Sequence, residues 1–110
     1  YEVLARRIKL FHGLEAREVA RIFSLGVTRE VPAGHVIFEK GSSGTDLFVI
    51  VSGSVRIIDD GQEIALLSAG DTFGEMSVVT GEPRSATAMA GQATSLLVLT
   101  EDQFRKLMTK

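Results

Sequence analysis

The chain has 110 residues, 45% of them hydrophobic and 24% charged, enough for one small core and too apolar for a disordered segment. A formal net charge of −2 supplies no overall attraction to a phosphate backbone, so nucleic-acid contact would need a basic element that these residues lack. With no cysteine, disulfides, thiolate metal sites and thiol nucleophiles are excluded, which agrees with a reducing, cytoplasmic setting.

No stretch approaches the roughly 20 apolar residues that span a bilayer, and no signal-peptide pattern opens the chain. It begins on Tyr1 rather than Met and stops within a helical pattern at Lys110, which reads as an excerpt or a processed product. One domain over residues 1–110 is expected, with helices over about 1–25, strands over about 27–99 and the start of C-terminal helices over about 101–110.

Val3, Leu4, Ile8 and Phe11 fit a short helical face that His12 and Gly13 interrupt. Over residues 14–25, Leu14, Val19, Ile22 and Phe23 recur at helical spacing, and Gly26 sits where a helix stops. Arg6, Arg7, Lys9, Arg17 and Arg21 are interleaved with Glu2, Glu15 and Glu18, which describes a solvated face.

From Val27 to Leu99 the texture changes to short aliphatic and β-branched runs punctuated by glycines at 34, 41, 44, 53, 61 and 70. Val55-Arg56-Ile57-Ile58 and Glu63-Ile64-Ala65-Leu66 flank Asp59-Asp60-Gly61-Gln62, and Asp-Gly is a strong hairpin signal because both turn residues accept positive φ. The unbroken apolar runs over residues 47–51 and 96–99 suit strands covered on both faces. Thr100 is a good N-cap for a closing helix with Glu101, Asp102 and Gln103 in its first turn and Phe104, Leu107 and Met108 on one face. Strands at close spacing, bracketed by helices rather than alternating with them, predict a mainly β fold: an antiparallel jelly-roll with flanking N- and C-terminal helices.

The strand pattern pauses at Phe73-Gly74-Glu75-Met76-Ser77-Val78-Val79-Thr80-Gly81, where a short helical turn fits between two glycines. The free N–H groups at the start of such a turn favour an anion, and Gly74 lets a ligand approach the backbone. Arg84 follows Pro83, whose ring fixes the backbone, and supplies the positive charge. A carboxylate at Glu75 beside a phosphate is repulsive unless it faces a hydroxyl donor. The pattern therefore reads as one ligand carrying a hydroxyl, accepted by Glu75, and a phosphate, held by Arg84 and backbone N–H groups. Taken alone, a Glu–Arg pair more often forms a salt bridge. His12 and His35 lie in turn contexts without a partner at ligand spacing, so no metal is assigned.

Residues 73–90, FGEMSVVTGEPRSATAMA, resemble the phosphate-binding cassette of the cyclic nucleotide-binding domain family, whose pattern runs F-G-E-(L/M)-(A/S), several residues, then P-R-(A/S/T)-A. The segments VPAGHVIF at 31–38, DLFVIVSG at 46–53 and Gly70-Asp71 are similar to that family's earlier strands and turns. The resemblance implies a jelly-roll of the double-stranded β-helix type and a ligand site of Phe73, Gly74, Glu75, Met76, Ser77, Arg84, Ser85 and Ala86. Glu75 would bind the ribose 2′-hydroxyl and Arg84 the cyclic phosphate, with Gly74, Met76 and Ser77 offering backbone groups and Ser85-Ala86 near phosphate and base. Because Thr at the Ser85 position tends to accompany cGMP in the family, Ser85 implies either a lean towards cAMP or no strong choice between the two. Family members continue into a base-capping helix, and the chain stops short of one.

The expectation is thus a regulatory module without catalytic residues, sensing a cyclic nucleotide, cAMP over cGMP, for an effector outside the segment or on a partner; a homodimer is compatible with it. The competing reading is an interaction or dimerisation domain that keeps the fold without binding nucleotide. An enzyme is the third, poorly served by two unassociated histidines.

Overall fold

The computed structural model describes residues 15–108. The helix expected around Val3 to Phe11, together with His12, lies outside the described residues. Helix α1 spans Ala16–Leu25. Glu15 precedes it and its N–H donates to the Glu18 carboxylate at 3.2 Å, which satisfies a backbone donor at the helix start. Gly26 ends α1 with its N–H bonded to the Ile22 carbonyl at 2.9 Å. Its φ is −76°, which any residue adopts, and the glycine leaves room for the strand beside it: a Cβ there would sit 2.6 Å from Leu97 Cδ1, which would have to shift.

Eight strands follow: β1 Val27–Val31, β2 Val36–Phe38, β3 Leu47–Ser52, β4 Ser54–Asp59, β5 Gln62–Ser68, β6 Thr72–Phe73, β7 Thr87–Ala90 and β8 Thr94–Leu99. A short helix α2, Glu75–Thr80, separates β6 from β7, and α3, Glu101–Met108, follows β8. The strands form two four-stranded antiparallel sheets, ordered β1-β8-β3-β6 and β2-β7-β4-β5. This is the expected mainly β jelly-roll bracketed by helices.

Alternation sets the two faces of β3 and β8. Phe48 and Ile50 pair with Val98 and Leu96 and point between the sheets, where Val55, Ala88 and Ala90 of the second sheet meet them. Leu47 and Val49 pair with Leu99 and Leu97 on the opposite face and are fully buried too. Residues of α1 and α3 gather around Leu99 on that side, with Gly26 against both Leu97 and Leu99. The apolar runs at 47–51 and 96–99 are therefore neighbouring strands covered twice, as their composition predicts.

The hairpin also forms as read. Asp59 pairs with Gln62, and the two loop residues, Asp60 and Gly61, have φ of +50° and +81°, the signature of a type I′ turn. At the other end, Thr100 Oγ1 accepts from the Gln103 N–H at 3.2 Å while Gln103 Oε1 accepts from the Thr100 N–H at 2.9 Å, a reciprocal cap on α3. Gln103 Nε2 also donates to the Leu25 carbonyl at 2.9 Å, which ties α3 to the end of α1.

Candidate functional site

The site grows from the point where β6 gives out. Phe73 and Thr72 pair with Phe48 and Val49, after which Gly74 takes φ +88°, ψ −1° and turns the chain into α2. That left-handed turn suits glycine, and space demands it as well: a Cβ at Gly74 would lie 2.8 Å from Arg84 Nη1 and 3.0 Å from the Asp46 carbonyl. Gly81, at φ +73°, closes the six-residue helix. The turn between two glycines is thus where the sequence places it.

Arg84 is 5% exposed. Its Nη1 donates to the Gly74 carbonyl at 3.0 Å and its Nη2 to the Asp46 carbonyl at 2.9 Å. The guanidinium carbon stands 4.3 Å from the centre of the Phe38 ring, a cation–π contact, and 5.9 Å from that of Phe48. Phe38, Phe48 and Phe73 form a joined aromatic group, the last two stacked 5.0 Å apart. Nε is buried without a hydrogen-bond partner. Burial lowers the Arg84 pKa from its ordinary value, and the nearby Asp46 charge opposes this. Two carbonyl dipoles and a ring face are modest compensation for a full charge removed from water.

Glu75 and Arg84 form no ion pair, although that is the commonest fate of such a pair. Glu75 is exposed at the first position of α2. It shares a cleft of about 250 Å³ with Phe73, Gly74, Met76, Ser77, Arg84, Ser85 and Ala86, so all eight residues expected from the sequence line one space. Within it Phe73, Ser77 and Ala86 are buried, while Met76, at 63% exposure, and Ser85 stand at the mouth. Phe73 is as much a core residue as a lining one.

Sequence reasoning missed the opposite wall. Phe38, Ile57, Leu67 and Thr72 complete the cleft, and the carbonyl of Asp46 and the flank left by Gly44 help seat the guanidinium. No local signal marks Phe38 or Asp46, because their roles exist only once β2 and β3 fold beside Arg84. A larger hollow, about 390 Å³, opens between α1 and α3 around Ile22, Leu25 and Leu99. It contains neither Glu75 nor Arg84. Among the described residues no group of three or more His, Asp or Glu side chains is placed to hold a metal ion.

The fold is a mainly β jelly-roll, and its cleft sets a buried arginine with an unbonded Nε beside a glycine-opened turn. Residues 28–110 match the profile of the cyclic nucleotide-binding domain, and the chain belongs to that family. It is 40% identical over 106 residues to the cyclic AMP receptor protein of Thermus thermophilus, covering 92% of this chain and 49% of that protein. It is 38% identical over 104 residues to a cyclic nucleotide-gated potassium channel of Rhizobium etli, covering 94% of this chain and 29% of the channel. The crystal structure of the Thermus thermophilus catabolite activator protein superposes with a TM-score of 0.82 at 38% identity, over 91% of this chain and 49% of that one. The chain thus spans half or less of the length of these relatives.

Proposed function

We propose that this chain is a regulatory module that binds a cyclic nucleotide, cAMP in preference to cGMP, and passes the signal to an effector fused to it or held on a partner. The observation that carries the reading is Arg84: a buried cation with no carboxylate paired to it among the described residues and an unbonded Nε, at a cleft whose backbone Gly74 opens. In this reading the phosphate completes the donors of Arg84 and takes the unpaired N–H groups that begin α2, at Glu75, Met76 and Ser77. Glu75, unpaired with Arg84 and exposed, accepts from the ribose 2′-hydroxyl. The base lies towards Ser85, Ala86 and the apolar wall of Ile57 and Leu67.

The preference for cAMP rests on Ser85 and on the similarity to a protein named for cyclic AMP. The same reading makes residues 1–110 one binding domain without turnover, in the cytoplasm, and leaves any DNA or membrane contact to other segments. No described helix is long and apolar enough to cross a membrane. Calorimetric titration of the chain with cAMP and cGMP tests the proposal: saturable heat with cAMP, weaker with cGMP, is expected. No heat at millimolar nucleotide would refute it and favour an interaction domain that keeps only the fold.

A further inference from the structure

The loop between β2 and β3, residues 39–46, holds Arg84 from both sides of its backbone. Gly41 N–H donates to the Arg84 carbonyl at 2.7 Å, and Arg84 N–H donates to the Ser42 carbonyl at 2.9 Å. Further along the loop, Gly44 leaves the guanidinium its place, since a Cβ there would lie 3.1 Å from Nη2, and Asp46 accepts from that same nitrogen. The loop also closes on itself, with the Ser42 hydroxyl and N–H both bonded to the Glu39 carbonyl at 2.6 and 3.1 Å. The aim of Arg84 therefore depends in part on how this loop is anchored.

Lys40 ties the loop to the rest of the second sheet. Its N–H donates to Thr87 Oγ1 at 3.0 Å, and its ammonium reaches the tip of the β4–β5 hairpin, 2.6 Å from Asp59 Oδ1 and 3.0 Å from Asp60 Oδ1. The type I′ turn presents both carboxylates to one point, so a single side chain fastens the loop to a stiff hairpin. We infer that Lys40 is a positioning residue for anion binding, tying the hairpin tip to the loop that brackets Arg84 without touching the ligand. The inference rests on Arg84 being the phosphate-binding group. The hydrogen bond to Asp59, then that to Asp60, raises the Lys40 pKa above its ordinary 10.5. The folded pKa being the higher, the tie is fully present below 10.5 and is lost only as pH rises through the folded value.

Both partners of the tie are solvent-exposed, and such ion pairs add little to global stability. Its effect belongs in the aim of Arg84. Lys40→Met is expected to weaken cAMP binding about fivefold, Lys40→Arg to stay within about twofold, and the urea midpoint of either to remain near that of the parent chain. A second readout needs no nucleotide: solvent exchange of the Arg84 Nε–H, followed by ¹⁵N-resolved NMR on the ligand-free chain. Lys40→Met is expected to speed that exchange about tenfold with Lys40→Arg near the parent rate, a local opening independent of global unfolding. An unchanged exchange rate in Lys40→Met overturns the inference, as does a rate that rises only in proportion to lost global stability. If the parent chain binds no cyclic nucleotide, the functional reading falls while the exchange measurement still decides the role of Lys40.

Discussion

Arg84 is a charge kept from water by its own protein, and the protein answers it with two backbone carbonyls and the face of Phe38. Charge-assisted bonds to a phosphate contribute about 1.5 to 3 kcal/mol each, and a bidentate fork makes two. Arg84→Leu is therefore expected to weaken cAMP binding at least about a hundredfold. Arg84→Lys keeps the charge but loses the planar fork and is expected to cost about tenfold, both read by calorimetric titration. Gly74 and Gly61 supply a matched comparison, since both have positive φ. A Cβ at Gly61 meets nothing within 4 Å, whereas one at Gly74 strikes Arg84 Nη1 and the Asp46 carbonyl. Each alanine substitution is expected to cost about 1 kcal/mol or more from the strained backbone. Only Gly74→Ala displaces Arg84, so urea unfolding should register both variants and nucleotide titration only that one.

At the scale of elements, the features readable in the sequence are those whose cause lies within a few residues. Asp60-Gly61 names its turn because both residues accept the φ it needs, and Thr100 names a cap because its hydroxyl reaches an N–H three residues on, although Gln103 was read only as a first-turn residue and not as its reciprocal partner. Thr100→Ala is expected to cost about 1 kcal/mol in urea unfolding. Gln103→Ala is expected to cost more, because the same side chain also holds the Leu25 carbonyl across 78 positions of sequence. That second bond is invisible in the sequence, and so is most of what shapes the site. Glu75 and Arg84 were legible as a pair of opposite chemistries nine residues apart, and they do line one cleft. Phe38 beneath the guanidinium, Asp46 beside it and the bracket at Gly41 and Ser42 arise from β2 and β3 folding against a segment some 40 residues later. Gly26 shows the same limit. Its position as a helix stop was readable, but its close fit against Leu97 and Leu99, brought there by the β1–β8 pairing, was not.

For the whole molecule, the two faces of β3 and β8 join the site to the helices. Phe48 stacks on Phe73 at the root of the cleft, while its strand neighbours Leu47 and Val49 face the side on which α1 and α3 lie. Any free energy gained at Arg84 is thus added to one cooperative core, and ligand binding should appear as global stabilisation. A ligand that binds only the folded state at a hundred times its dissociation constant contributes about 2.7 kcal/mol. In a domain of this size about 1 kcal/mol moves the melting temperature by roughly 4 °C or more, so saturating cAMP is expected to raise it by about 10 °C. Calorimetric melting of the chain at matched cAMP and cGMP concentrations checks the size and the order of the shifts. Arg84→Leu is expected to shift by no more than about 2 °C at the same nucleotide concentration, because on the proposed reading it retains the sheets but lacks the group that holds the phosphate. An equal cAMP shift in Arg84→Leu and the parent would place the binding energy elsewhere, and an equal shift for cAMP and cGMP would remove the preference assigned to Ser85.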